Sequence, residues 1–156
     1  MNRIPKTLSA LIYLSAAAVG LVMAATTARA QNAGISVHDA WVREPLANSA
    51  ETAAFVVVEN GTASKLAIVG VSTDAASKAE LHEMKLVDSM MRMSPVKQIE
   101  IPAHGKVELK PGGFHVMLFD LKSRPMAGET MNLSFRFDDG TTVSVPAQVR
   151  KVEGMK

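Results

Sequence analysis

Cysteine is absent from all 156 residues. That excludes disulfides, thiolate metal sites, thiol exchange chemistry and cysteine nucleophiles. With no cysteine after Ala30, no residue is placed to carry an N-terminal lipid. A basic surface is lacking as well. The chain holds 17 Lys and Arg against 15 Asp and Glu, but Arg3, Lys6 and Arg29 fall in the first thirty residues, which contain no acid. The remainder therefore carries 14 basic and 15 acidic groups, a net charge of −1. Nucleic-acid binding needs clustered Lys and Arg, and nothing of that kind is present. Past residue 31 there is no sustained helical period, internal repeat, low-complexity tract or interdomain linker. No serine stands in a nucleophile elbow with triad partners in order, and the chain reads as a non-enzyme.

Residues 1–30 have the grammar of an export signal. Arg3 and Lys6 supply a positive start, Ala10 to Ala25 is an uncharged apolar run, and Ala28-Arg29-Ala30 is a small-x-small cleavage site that leaves Gln31 first. The apolar run is short and rich in Ala and Ser, whereas about 20 strongly apolar residues span a bilayer. The expectation is a protein released into the periplasm, with no membrane insertion after cleavage. Residues 31–156 then form one domain, long enough to bury its own core.

Within that domain short β-rich runs alternate with turn signals at roughly ten-residue spacing, the pattern of an all-β sandwich or barrel. Strands are predicted near Ile35–Arg43, Ala53–Asn60, Lys65–Thr73, Lys78–Leu86, Met91–Val96, Gln98–Ile101, Gly105–Leu109, Phe114–Leu121, Thr130–Phe137 and Thr142–Val152. Asn60-Gly61 and Asp139-Gly140 are turn dipeptides. Residues 44–52 read as a long loop. The short connections favour antiparallel pairing, because parallel neighbours need long crossovers.

What the chain has in excess is methionine. Eight lie after residue 30, and Met84, Met90, Met91 and Met93 fall within ten residues of one another. Histidines stand close by in sequence: Leu81-His82-Glu83-Met84, and later Gly113-Phe114-His115-Val116-Met117. On a strand, residues i and i+2 share a face. His115 therefore points with Met117, His82 with Met84 and Met91 with Met93, while Phe114, Val116 and Leu118 turn to the core. Three neighbouring strands suffice to gather these groups. Thioether sulfur is soft and imidazole borderline, a set that favours Cu(I). Zinc usually takes Cys, His and carboxylate. Calcium and magnesium want clustered oxygens. A blue-copper electron-transfer site would need a cysteine thiolate.

The spacing carries a resemblance. His82, ten residues, Met93, twenty-one residues, then His115-x-Met117 resembles the signature of the PCuAC copper chaperones. The flanking Ala79-Glu80-Leu81-His82-Glu83-Met84, Met91-Arg92-Met93, Leu109-Lys110-Pro111-Gly112-Gly113-Phe114-His115-Val116-Met117-Leu118 and the early Ala40-Trp41-Val42-Arg43 are similar to the family too, so the likeness spans nearly the whole domain. It implies a cupredoxin-like Greek-key β-sandwich, exported to the periplasm. It further implies one Cu(I) held by His82, Met93, His115 and Met117. The implied recipients are the apo CuA domain of cytochrome c oxidase subunit II or a SCO-type protein, with the carrier acting as a monomer. Relatives with a His- and Met-rich C-terminal tail bind Cu(II) there, and this chain lacks that tail.

Two other readings stay open on sequence grounds: a periplasmic copper buffer or resistance protein with no dedicated acceptor, and a metal-free sandwich whose methionines fill its core. Met84 and Met91 share faces with the motif residues and stand as accessory ligands or packing. Met90 is expected to point away from Met91 and to be structural or exposed, and Met126 and Met131 to be core or loop. His38 is expected to face solvent from its strand, His104 to sit in a surface turn, and Glu80, Glu83 and Asp88 to be solvated charges.

Overall fold

A computed structural model of the chain describes residues 30–32 and 34–152. The predicted signal up to residue 29, and the C-terminal residues 153–156 with Met155, lie outside the described residues. The described part holds strands and no helix: β1 (Ala30–Asn32), β2 (Ile35–Arg43), β3 (Thr52–Asn60), β4 (Leu66–Ser72), β5 (Ala76–Val87), β6 (Met90–Pro95), β7 (Ile99–Ile101), β8 (Gly105–Leu109), β9 (Phe114–Leu121), β10 (Thr130–Phe137) and β11 (Thr142–Arg150). Strands β2 to β11 follow the sequence expectation to within two residues at each end. β1 was not expected. It pairs with β2, and the expected cleavage point between Ala30 and Gln31 falls on it.

One sheet runs β6-β5-β9-β3-β2-β11-β10-β4-β7 and folds back on itself as a sandwich. β3 pairs with β2 along one edge and serves two neighbours along the other: Thr52 to Ala54 pair with β9, and Val56 to Asn60 pair with β8. The expectation of antiparallel pairing needs one correction. β11 runs parallel to β2, with Gln148 opposite Trp41 and Arg150 opposite Arg43. The crossover that a parallel pair requires is supplied by the whole intervening chain, which is how a Greek key closes.

Alternation builds the core. Met131, Leu133, Phe135 and Phe137 of β10 face Val143, Val145, Ala147 and Val149 of β11 in a buried cluster with Val116 and Leu118 of β9 and Leu81 of β5. Asp138-Asp139-Gly140 turns β10 into β11 as the sequence suggested, and Gly140 takes φ +86°, where a glycine costs least.

One irregularity decides what lies on the other side of the sheet. Ile35 and Val37 point inward from β2, but so do Ala40 and Val42. The parity changes because the β2–β3 register shifts between His38 and Trp41, where Asp39 adopts φ +53°. This is a β-bulge, which re-aims every later side chain on the strand. Without it Trp41 and Arg43 would be driven into the core.

The β5–β6 hairpin turns through Asp88 and Ser89 at φ +50° and +64°, the paired left-handed geometry that matches strand twist. Its tip exposes Leu86, Met90 and Met91. Leu118 is fully buried at the base of the sheet, whereas Leu86 is 69% exposed. Leu118→Ala is expected to lower unfolding stability by about 2–5 kcal/mol, and Leu86→Ala by less than about 0.5 kcal/mol, in urea titrations. Equal losses would show that the hairpin belongs to the core.

Candidate metal centre

The site is laid out by strand register. In the β5–β9 pairing His82 lies directly opposite His115, and Glu80 opposite Met117. In the β5–β6 pairing Met84 lies opposite Met93 and Leu86 opposite Met91. Met117 faces Ala53 on β3, and Phe55 of β3 faces Trp41 of β2. Directly opposed residues share a face. One face of five adjacent strands therefore presents Met91, Met93, Met84, His82, Glu80, His115, Met117, Phe55, Trp41 and Arg43. The opposite face is the hydrophobic core.

On that face lies a cavity of about 370 Å³, lined by Arg43, Ala53, Phe55, Met84, Met93, Pro111, Gly112, His115 and Met117. A larger hollow of about 780 Å³, lined among others by Gly34, Asn60 and His104, lies toward the other end of β2 and contains no methionine. Among the described residues no three His, Asp or Glu side chains converge on one point. The convergence here is of imidazole and thioether.

His115 is the best-defined member. It is 5% exposed. Its Nδ1 lies 2.9 Å from the Gly113 carbonyl oxygen. A carbonyl only accepts, so Nδ1 carries the proton and donates it, leaving Nε2 with a free lone pair. That Nε2 stands 3.2 Å from Met93 Sδ. Two lone-pair donors thus meet with no proton between them. Imidazole nitrogen and sulfur bound to one first-row metal ion lie about 2.0–2.3 Å from it, hence roughly 3–4 Å from each other. The spacing fits two ligands of a single ion.

Burial pushes the His115 imidazole below its ordinary value of 6.5, and the positive charges of His82 and Arg43 push the same way, against the Gly113 hydrogen bond. The ring is held neutral, the form that ligates.

His82 stands beside the cavity and is absent from its lining. Its ring centroid is 5.9 Å from that of His115 and 6.0 Å from that of Phe119. Its Nε2 lies 3.1 Å from Glu80 Oε2, and Glu80 Oε1 accepts from Lys78 Nζ at 2.8 Å. Glu80 is held below the usual carboxylate value, first by the Lys78 hydrogen bond and then by that of His82. With Nε2–H donating to Glu80, the lone pair of His82 is on Nδ1, which is buried and meets no partner. A buried acceptor left unpaired costs about 1–3 kcal/mol. That unpaired nitrogen, with the His115–Met93 pair, is the observation that matches these residues to a soft cation.

The structure thus gathers Met93, His115 and Met117 around one cavity, adds Met84, sets His82 alongside, and leaves Met91 exposed at the hairpin. Met93 is itself 49% exposed, on an edge strand. Other expectations need adjusting. His38 is not turned to solvent: it is held between Asp39 at 2.9 Å and Glu59 at 3.2 Å. Glu80 and Glu83 are not simply solvated, because each is paired with a lysine on its own strand, Lys78 and Lys85. Met90 and Met126 are exposed, Met131 is core, and His104 sits in an exposed turn, as expected. Sequence reasoning missed Arg43, Phe55, Pro111 and Gly112 as parts of the site wall. The family-like text around Arg43 and Pro111-Gly112 was the only signal for those three, and Phe55 had none.

Known proteins resemble this chain in sequence and fold. The LpqE-like family profile, described as "Putative lipoprotein LpqE-like", matches residues 35–149. A protein of Leifsonia xyli subsp. xyli named "Putative lipoprotein Lxx21020" is 37% identical over 145 residues, spanning 92% of this chain and 86% of that one. The solution structure of apo-DR1885 from Deinococcus radiodurans is similar at TM-score 0.61 and 30% identity, over 98% of this chain and 100% of that one. The solution structure of its CuI form matches at TM-score 0.56 and 32% identity, over 73% and 76% of the two chains. A copper-bound PCuAC domain from PmoF2 shares the fold at TM-score 0.68 and 20% identity, over 80% of this chain and 98% of that domain.

The lowered His115 value has a consequence for stability. Between the folded value and 6.5 the unfolded chain binds the proton and the folded one does not, so stability is complete above 6.5 and declines as pH falls through that window. Comparing urea midpoints of the metal-free domain at about pH 7.5 and about pH 5.5, His115→Gln is expected to lose less on acidification than the wild type. Parallel losses would show that His115 titrates normally. The profile matching residues 35–149, the 37% identical relative and the shared fold place the chain in the LpqE-like family, of PCuAC type.

Proposed function

We propose that this protein is an exported carrier of monovalent copper, binding Cu(I) through His115, Met93, Met117 and His82 and passing it to the CuA centre of cytochrome c oxidase. The observation that carries the reading is the pair of lone-pair donors, His115 Nε2 and Met93 Sδ, held 3.2 Å apart beside a second thioether, Met117. Relatives described as copper-bound and CuI-bound forms of the same fold support it. The thioethers carry no charge, and burial favours the neutral ring of His115. Thioethers do not titrate, and the two imidazoles are held in single tautomers by Gly113 and Glu80. Such a set suits a soft monovalent ion and gives little stabilisation to Cu(II).

Delivery follows from the same chemistry. A thiolate binds Cu(I) more strongly than a thioether, so copper passes by ligand exchange to a cysteine-bearing acceptor such as the apo CuA domain or a SCO-type protein. Export is proposed from Arg3, Lys6, the apolar run and Ala28-Arg29-Ala30. Relatives named lipoproteins point the same way, although this chain has no cysteine to lipidate.

In a Cu(I) titration against a competing chelator, one ion is expected per protein. His115→Ala and Met93→Ala should each weaken binding by more than Glu80→Ala, which removes only the partner of His82 and should cost about 10- to 100-fold. Unchanged affinity in both ligand variants would end the assignment. Mixing Cu(I)-loaded protein with an apo CuA domain under reducing conditions should move copper to the acceptor. Retention of copper by the loaded protein would favour a buffer over a carrier.

A further inference from the structure

The charges around the cavity are neutralised, with one exception. Glu80, the carboxylate on the ligand face, is taken by Lys78 and His82. Glu44, next in sequence to Arg43, is taken by Arg124 at 3.3 Å. Arg43 lines the cavity itself, and among the described ion pairs it takes part in none. Its Nε is buried and meets no hydrogen-bond partner. Its guanidinium lies 5.8 Å from the Phe55 ring centroid, and Phe55 lies 6.5 Å from His115. Arg150 over Trp41 at 5.7 Å, and Trp41 against Phe55 at 4.4 Å, continue the stack away from the site and add a second cation. A permanently charged group has thus been placed on the wall of a site for a cation, without a counter-ion.

Repulsion alone gives this arrangement no use, since Arg43 works against any metal beside it. The volume suggests what balances the charge. About 370 Å³ is far more than one ion needs, given that a water molecule occupies about 30 Å³ of liquid. Gly112, at φ +82°, has open space where a side chain would stand, so the wall is not closed there. Room and an uncompensated positive charge together describe a place for an anion alongside the ligands.

We propose that Arg43 forms an anion subsite next to the thioether–imidazole site, which receives the thiolate of the incoming copper acceptor before and during transfer. This rests on the Cu(I) reading above and adds a step to it. The acceptor sulfur arrives as the anion, pairs with the Arg43 guanidinium, and bonds to copper as a thioether leaves. No electron moves, copper stays monovalent, and the departing ligand is neutral methionine sulfur. Arg43 acts as a specificity-determining residue, favouring anionic over neutral acceptors, without being a copper ligand.

The test compares two small acceptors by stopped-flow with Cu(I)-loaded protein: 2-mercaptoethanol, which attacks as a thiolate, and neocuproine, a neutral chelator. Arg43→Gln should slow transfer to the thiol about tenfold and to neocuproine less than about twofold, with Arg43→Lys intermediate for the thiol only. Added NaCl should slow the wild-type thiol reaction and leave that of Arg43→Gln almost unchanged. Equal slowing with both acceptors, or none with the thiol, overturns the proposal. A second arm needs no copper. In the metal-free protein, iodide should shift the Arg43 Nε–H resonance saturably, and the signal of Arg150 should move less. An Arg43 resonance indifferent to iodide overturns the subsite, whereas failure of the wild type to bind Cu(I) overturns the functional reading instead. Thermal melts of both variants, expected close to wild type, separate either result from a folding defect.

Discussion

The register between β5 and β9 is the constraint on which the rest depends. Placing His82 opposite His115 puts Leu81 opposite Val116 one step away. The first pair belongs to the ligand face and the second to the core. A slip of one residue would invert both, burying the imidazoles among Leu133 and Phe135 and turning Leu81 and Val116 outward. The hydrophobic effect thus enforces the geometry of the polar face. Burying Val116 and Leu118 is what aims His115 and Met117, and no separate interaction is needed to point them. β6 then adds Met93 through its own register with Met84.

The bulge at Asp39 plays the complementary part. It lets β2 contribute Val37 to the core from one half and Val42 from the other while sending Trp41 and Arg43 to the ligand side. The aromatic and cationic stack of Arg43, Phe55, Trp41 and Arg150 stands there as a rigid flank, so the cavity has one soft side of methionines and one stiff side. Of the two histidines, one is fixed by a backbone carbonyl and one by a carboxylate that a lysine clamps in turn. Both devices set the tautomer of the ring they hold. The proposed ligands are thus prepared for an ion that needs no charge from the protein.

Much of the fold was legible in the sequence where strands alternate cleanly between turn residues. Leu133, Phe135 and Phe137 against Val143 and Val145 is the plainest case, with Gly140 between them. What the sequence concealed has local reasons. The parallel β2–β11 pair joins segments a hundred residues apart, and no local pattern encodes it. The β5–β6 turn uses Asp88 and Ser89 in left-handed backbone, where Asn-Gly would have announced itself. The parity switch on β2 hides in Asp39, an unremarkable residue until its φ is known. At the site, spacing singled out His82, Met93, His115 and Met117. It could not show that His82 stands at the cavity's side, hydrogen-bonded to Glu80, or that Met84 joins the lining. Spacing records which residues share a face, and not which way a ring on that face is turned.

A carrier must both hold and yield its cargo, and the difference in burial among the proposed ligands supplies a reason it can. His115 and His82 are almost wholly enclosed in the middle of the sheet, whereas Met93 is half exposed on β6, the edge strand. The enclosed nitrogens keep their tautomers and positions when the metal leaves, held by Gly113 and Glu80. The exposed thioether is the ligand an incoming group reaches first, and a free methionine side chain in solvent is an unstrained leaving group. Arg43 faces this arrangement from the stiff side. Its repulsion acts twice as strongly on a divalent ion as on a monovalent one, so the same charge that welcomes an anionic acceptor weights the site against Cu(II) and Zn(II). Selectivity for the cargo and a bias toward thiolate recipients would then come from a single uncompensated guanidinium.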